Sequence, residues 1–359
     1  MTAGVAALPG AAAVRRRVTA VLDGFLERKA GTAAKLRMPE ELTGCLRDLL
    51  AAGGKRLRPL LCVSGWQAAG GQGTPGTLIR VAASLEMFHA FCLIHDDVMD
   101  NSARRRGAPT VHRRLARHHA HGRTATAARH VGTSGAILVG DLALAWSDEL
   151  LQAAGLTPRQ LGAVLPLIND MRGEVMYGQY LDVTAAGRPT ADVEQALRIV
   201  RYKTAKYTVE RPLHIGAALA GAPLAVREAL TAYALPVGEA FQLRDDLLGV
   251  FGTPEVTGKP SLDDLREGKH TVLVALALQR ADARRRRVLR TLLGAPRLDE
   301  AGADRIREVF IATGARDEVE EMISAFQARA LRVLETAPFP SRAIAHLRLL
   351  ADAATVRAS

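Results

Sequence analysis

Apolar residues recur at helical spacing along nearly the whole chain. Leu85, Phe88, Phe91, Cys92 and Ile94 trace one largely buried helix, predicted from about Leu78 to Ser102. The same period predicts helices over 14–28, through Leu42, Leu46, Leu49 and Leu50 after Pro39, and over 60–69. Others follow over 133–151, 158–182, 193–201 and 225–250, punctuated by Gly53-Gly54, Gly187-Arg188-Pro189 and Gly221-Ala222-Pro223. The C-terminal third reads as amphipathic helices with solvated charge. No strand pattern, internal repeat or linker long enough to force a second domain is evident. The expectation is therefore an all-α fold, with residues 14–359 as one domain behind a loose tail, residues 1–13.

Composition narrows the class. Of 359 residues, 48% are hydrophobic, 24% charged and only 4% aromatic, which fits a soluble helical protein with a sizeable core. Lysine and arginine exceed the acids by 11, but the excess is mostly arginine scattered through helices. Without interleaved aromatics, a zinc-finger pattern or an RNA-binding signature, nucleic acid is not the expected partner. Cys45, Cys62 and Cys92 are odd in number and form no CxxC pair, so free thiols are expected. The small apolar N-terminus precedes Arg15-Arg16-Arg17, the wrong order for a signal peptide, and no uncharged apolar run reaches the roughly 18 residues of a membrane span. A cytoplasmic protein is the expectation. The stretch 106–131, with His112, His118, His119, His121 and His130, lacks HExxH or Cys/His ligand spacing and reads as a flexible or partly helical surface segment.

The chemistry concentrates where the apolar helix ends. Asp96, Asp97 and Asp100 lie three and four residues apart on it, and Arg104, Arg105 and Arg106 follow within two turns. Carboxylates so placed repel one another unless a cation sits among them, and magnesium takes one or two carboxylates while sharing its other positions with phosphate oxygens and water. The arginine forks suit the same phosphate. Lys55 and Arg58 sit three apart beside Pro59 at a helix start, another anion-favouring place. A second paired acid, Asp245-Asp246, lies on an apolar helix ahead of a Gly/Lys loop containing Lys259 and Lys269. A bare DDxxD is also compatible with a solvated acidic turn; the second acidic element makes a metal-bridged diphosphate site the better reading.

Taken in order, Gly53-Gly54-Lys55-Arg56-Leu57-Arg58-Pro59, Asp96-Asp97-Val98-Met99-Asp100 with Arg105-Arg106-Gly107, Gly178-Gln179, Lys203-Thr204, and Phe241-Gln242-Leu243-Arg244-Asp245-Asp246 with Lys259 and Lys269 resemble the trans-isoprenyl diphosphate synthases. The resemblance spans roughly residues 14–350 and is nearest the geranylgeranyl diphosphate synthases. It implies a helical bundle around a deep central cavity, usually a homodimer, and a reaction in which an allylic diphosphate loses pyrophosphate and the carbocation alkylates isopentenyl diphosphate. Asp96 and Asp100 would hold two magnesium ions with Asp97 in support, and Asp245, beside Asp246, a third. Arg105, Lys203 and Lys259, with Lys269 nearby, would hold the allylic diphosphate. Lys55, Arg58, His89 and Arg106 would hold isopentenyl diphosphate. Thr204 and Gln242 would turn oxygen dipoles toward the cation.

One departure stands out. The second motif commonly reads DDxxD, but Gly249 replaces its last acid, and Asp263 or Asp264 is a candidate to compensate. Product length should depend on the floor beneath the first motif, where Phe91, Phe88 and Met87 are bulky and Cys92 is small. In the family the chain resembles, a bulky residue five places before the motif stops elongation and strict farnesyl makers often carry an aromatic where Cys92 stands, so the resemblance implies a C20 product over farnesyl or longer chains. A terpene cyclase would need a second metal motif; its best candidate, Asn169-Asp170-Met171-Arg172-Gly173-Glu174, lacks the required hydroxyl and later acid. A non-catalytic subunit is disfavoured by the intact first motif.

Overall fold

A computed structural model of the chain describes residues 10–252 and 262–355. Sixteen α-helices and one π-helical segment make up almost all of the regular structure among the described residues, so the all-α expectation is borne out. The only β-structure described there is a two-residue antiparallel ladder, Arg104–Arg105 with Ala108–Pro109, too short to leave a sequence pattern. The described residues fall into two compact units.

The first unit comprises the described part of Pro9–Val63 together with Gln72–Leu161. It contains α1 (Ala11–Lys35), α2 (Glu41–Ala51), the start of α3 (Leu57–Ala68), α4 (Gly76–Met99), α5 (Val111–His118) and α6 (Ala125–Gln152). Helix α1 starts ahead of its predicted place and runs past it, because Val14, Val18, Leu22, Phe25 and Leu26 form one continuous buried stripe. Helix α4 is long and apolar enough, by length and composition, to cross a membrane. Its side chains are mostly buried against α1, α5 and α6, which makes it the core helix of this unit. The polar stretch before α6 is partly helical, as expected: α5 buries Val111, His112 and Leu115 and exposes Arg114 and Arg117. His118 and His119 at its end are each 2.9 Å from a different oxygen of Glu41 on α2.

The second unit comprises Ser64–Gly71 and the described part of Gly162–Ser359. Along it lie most of α7 (Pro158–Ala185), α8 (Val193–Ile199), a π-helix (Val200–Glu210), α9 (Arg211–Leu219), α10 (Leu224–Phe251) and α11 (Asp263–Glu267). Helices α12 (Val272–Arg280), α13 (Ala283–Leu292), α14 (Glu300–Ala312), α15 (Ala315–Thr336) and α16 (Ser341–Thr355) complete it. Leu243 and Leu247 of α10, Val272 to Leu278 of α12, Phe310 of α14 and Ile323 of α15 share its core. The π-helix packs closely on both sides. A Cβ at Gly178 of α7 would lie 2.4 Å from the Lys203 nitrogen, and one at Gly238 of α10 would lie 2.5 Å from the Ala205 Cα. Only glycine permits either approach. The predicted helix over 193–201 thus continues into a wider turn, a form often found at functional sites.

Candidate active-site residues

In the first unit, α4 delivers the three acids and the β-ladder returns an arginine to them. Asp97 is 2% exposed, and the Arg105 Nε donates to its two oxygens at 2.8 and 2.9 Å. The Nη2 of Arg105 also reaches Asp96 at 3.3 Å. Burial opposes the Arg105 charge, yet its bond to Asp97 and the fields of Asp97, Asp96 and Asp100 hold its pKa above the ordinary value. Asp97 therefore serves as the anchor of Arg105, while the half-buried Asp96 and Asp100 sit one turn apart at the end of the helix.

A basic group stands behind this acidic one. Arg106 takes a left-handed backbone at φ +52° and donates to the Gly53 carbonyl. Arg56 is also left-handed, at φ +48°. It lies buried with Nη1 2.7 Å from Glu86 and Nη2 2.7 Å from the Leu50 carbonyl. Non-glycine residues held in this region usually mark turns over-determined by function. Arg58 is buried too, and His89 is half-buried. Burial, with the fields of Arg58, Arg106, Arg105 and Arg56, pulls the His89 pKa well below its usual range, so its ring is neutral at pH 7. Lys55 lies half-buried on the same loop, its carbonyl accepting from Arg15 at 3.2 Å. Lys55, Arg58, His89 and Arg106 thus belong to one unit, where a neutral imidazole can donate a hydrogen bond within an arginine field.

The Arg56–Glu86 pair went unassigned in the sequence. The signal was present: Glu86 is a lone acid between Leu85 and Met87 inside an apolar helix, and such an acid requires a buried cationic partner. Met87 and Phe88 are fully buried, Phe91 nearly so, and Cys92 half-buried. The Phe88 and Phe91 rings lie 5.3 Å apart, and Phe91 meets His95 edge-on at 4.6 Å. All three cysteines are free thiols.

In the second unit, the π-helix turns Lys203 toward Asp182, with Nζ 2.5 Å from its carboxylate. Thr204 donates to Gln242 Oε1 at 2.7 Å, and Gln242 Nε2 donates to Asp246 at 2.8 Å. This relay fixes the Gln242 amide. Burial raises the Asp246 pKa to about 8, and Asp245 and Asp264 add to the rise against the Gln242 bond and Lys269. Asp245, one residue earlier, is exposed. Lys269 Nζ lies 2.7 Å from Glu267 and 3.6 Å from Asp264. Lys259 falls outside the described residues.

The segment considered as a cyclase metal motif is committed elsewhere. Glu174 receives two 2.7 Å bonds from Arg211 and sits 2.8 Å from Lys206, which also holds Glu210 at 3.0 Å. Burial works against its charge, but these partners keep the Glu174 pKa below the ordinary carboxylate value. Asp170 is 3.6 Å from Arg211.

The donor sets fit a hard divalent cation. Both are oxygen-only, the donor chemistry such a cation takes, and each gathers carboxylates that repel one another unless positive charge sits among them. Asp96 and Asp100 in one unit, and Asp245 with Asp246 and Asp264 in the other, are the residues able to hold one.

Residues 39–310 match the polyprenyl synthetase family model. The chain belongs to the polyprenyl synthetase family. Among its relatives, the geranylfarnesyl diphosphate synthase of Aeropyrum pernix is 34% identical over 303 residues, covering 84% of this chain and 89% of that protein. A (2E,6E)-farnesyl diphosphate synthase of Mycobacterium tuberculosis is 36% identical over 250 residues, 70% of this chain and 62% of its own length. Among solved structures, the geranylgeranyl pyrophosphate synthase of Corynebacterium glutamicum, complexed with isoprenyl diphosphate and magnesium, aligns with a TM-score of 0.90 at 41% identity over 96% of this chain and 98% of that one. The polyprenyl synthetase described above is thus a prenyltransferase, as its ordered motifs suggest.

Proposed function

We propose that this trans-prenyl diphosphate synthase uses magnesium, three ions per active site, to condense isopentenyl diphosphate with an allylic diphosphate, giving geranylgeranyl diphosphate. The observation that carries the metal requirement is the second acidic group, in which Asp264 reaches from another element to lie against Gly249, one helical turn from Asp245. The Corynebacterium protein's complex with magnesium and isoprenyl diphosphate supports it.

In this reading Asp96 and Asp100 would hold two of the ions and Asp245 the third, and the ions would supply charge neutralisation for the departing pyrophosphate. Asp97 acts through Arg105, fixing the guanidinium that would bind a phosphate oxygen. Lys203, Lys259 and Lys269 complete the hold on the allylic diphosphate, and Lys55, Arg58, His89 and Arg106 bind isopentenyl diphosphate. As the allylic C–O bond breaks, the oxygens of Thr204 and Gln242 stabilise the cation. A C–C bond then forms to isopentenyl diphosphate, and a proton leaves the new carbon skeleton.

The C20 product rests on the tilted ring pair of Phe88 and Phe91 as a floor and on the smaller Cys92 beside them. Residues 14–359 act as one catalytic domain in the cytoplasm. A homodimer is the assembly proposed, as the family resemblance implies. Purified protein, magnesium, labelled isopentenyl diphosphate and each allylic primer in turn, with products sized by chromatography, test the reading. Release of hydrocarbon from geranylgeranyl diphosphate alone would overturn it in favour of a cyclase.

A further inference from the structure

The position left by the missing acid is filled from another element. Residues 245 and 249 lie one helical turn apart on α10, so the last acid of a DDxxD run would stand beside the first. Here residue 249 is glycine. A Cβ built on Gly249 would fall 2.0 Å from Oδ2 of Asp264, 3.0 Å from its Cγ and 3.6 Å from its Cβ. The Asp264 carboxylate therefore occupies the volume into which a side chain at 249 would grow. It reaches there from α11, fifteen residues downstream, with Lys269 at 3.6 Å.

We propose that Asp264 is the third carboxylate of the second acidic set and that the absence of a side chain at Gly249 leaves room for it. The two positions form a complementary pair: a carboxylate from one element and an absent side chain on the other. This rests on the reading of Asp245 as a metal ligand, and it assigns Asp264 to the same ion, directly or through its bound water. Any side chain at 249 without a carboxylate would displace Asp264 and supply nothing in return. An aspartate at 249 would supply a carboxylate only if Asp264 were cut back.

The test measures binding of manganese, in place of magnesium, by electron paramagnetic resonance in the presence of inorganic pyrophosphate. The proteins are the full chain and its D264N, D264A, G249A, D264A/G249D and D245N variants. D264N keeps the shape of the side chain, and the circular dichroism and thermal midpoint of each metal-free variant establish that it is folded. D264N, D264A and G249A are expected to weaken one manganese site about tenfold. D264A/G249D is expected to return to within about threefold of the parent. Parent-like binding by folded D264N and G249A would overturn the proposal, and so would a double variant no better than D264A. D245N separates the two readings: parent-like binding there removes the metal site itself, whereas a loss in D245N with none in D264N removes only the role of Asp264.

Discussion

Replacing Arg56 with methionine isolates what the basic loop is built on. The Arg56 and Glu86 side chains are 6% and 4% exposed and 2.7 Å apart, so neither charge is solvated by water. Removing one partner of such a pair strands the other, at a cost of about 3–5 kcal/mol. The lost bond to the Leu50 carbonyl, near the end of α2, adds about 1 kcal/mol. The expected loss is thus about 4–6 kcal/mol, a large share of the roughly 5–15 kcal/mol available to a typical domain. Urea unfolding read by tryptophan fluorescence measures it. Trp146 packs edge-on against Phe25 at 5.9 Å in the first unit, whereas Trp66 belongs to the second, so a W66F background reports on the first unit alone. R56M/E86L, which removes both charges, should recover most of the loss. A deficit below about 1 kcal/mol, or a double variant no more stable than R56M, would refute the reasoning.

Acid should weaken the fold through neutral histidines. Burial holds the pKa values of His112 and His214 down at about 4 and that of His89 well below its usual range. Below about pH 6.5 the unfolded chain takes up protons that the folded chain refuses, so stability should fall between pH 6.5 and 4. A pH series of urea midpoints should show this, with a shallower slope in H214Q. Phe91→Ala should lengthen the products by at least one isoprene unit, read by chromatography; products no longer than the parent's would count against the floor. Thr204→Val should lower kcat about tenfold while leaving KM for isopentenyl diphosphate within about threefold, because the hydroxyl serves the cation and the Gln242 amide rather than substrate binding.

Much of this was legible in the sequence because helical period and charge spacing are local properties. The fold class, α4 with its three acids, and the α10 pair all follow from residues within a few turns of one another. What was missed joins positions far apart in the chain. Glu86 announces a partner but not which arginine of the Lys55–Arg58 run supplies it. Glu174 resembles a metal ligand until Lys206 and Arg211, more than thirty residues downstream, are seen to hold it. For the acid missing at Gly249 the sequence offered both Asp263 and Asp264, and only the fold brings the Asp264 carboxylate against that position. The π-helix follows from packing against Gly178 and Gly238, which no window of the local sequence encodes.

The most direct measurement of the central claim is the fate of labelled isopentenyl diphosphate and farnesyl diphosphate incubated with the purified protein, with magnesium and with chelator. Label appearing in geranylgeranyl diphosphate with magnesium, abolished by chelator and reduced at least a hundredfold in D96N and D245N, is the expected result. Undiminished turnover in both variants, or consumption of farnesyl diphosphate with no label incorporated, would contradict it.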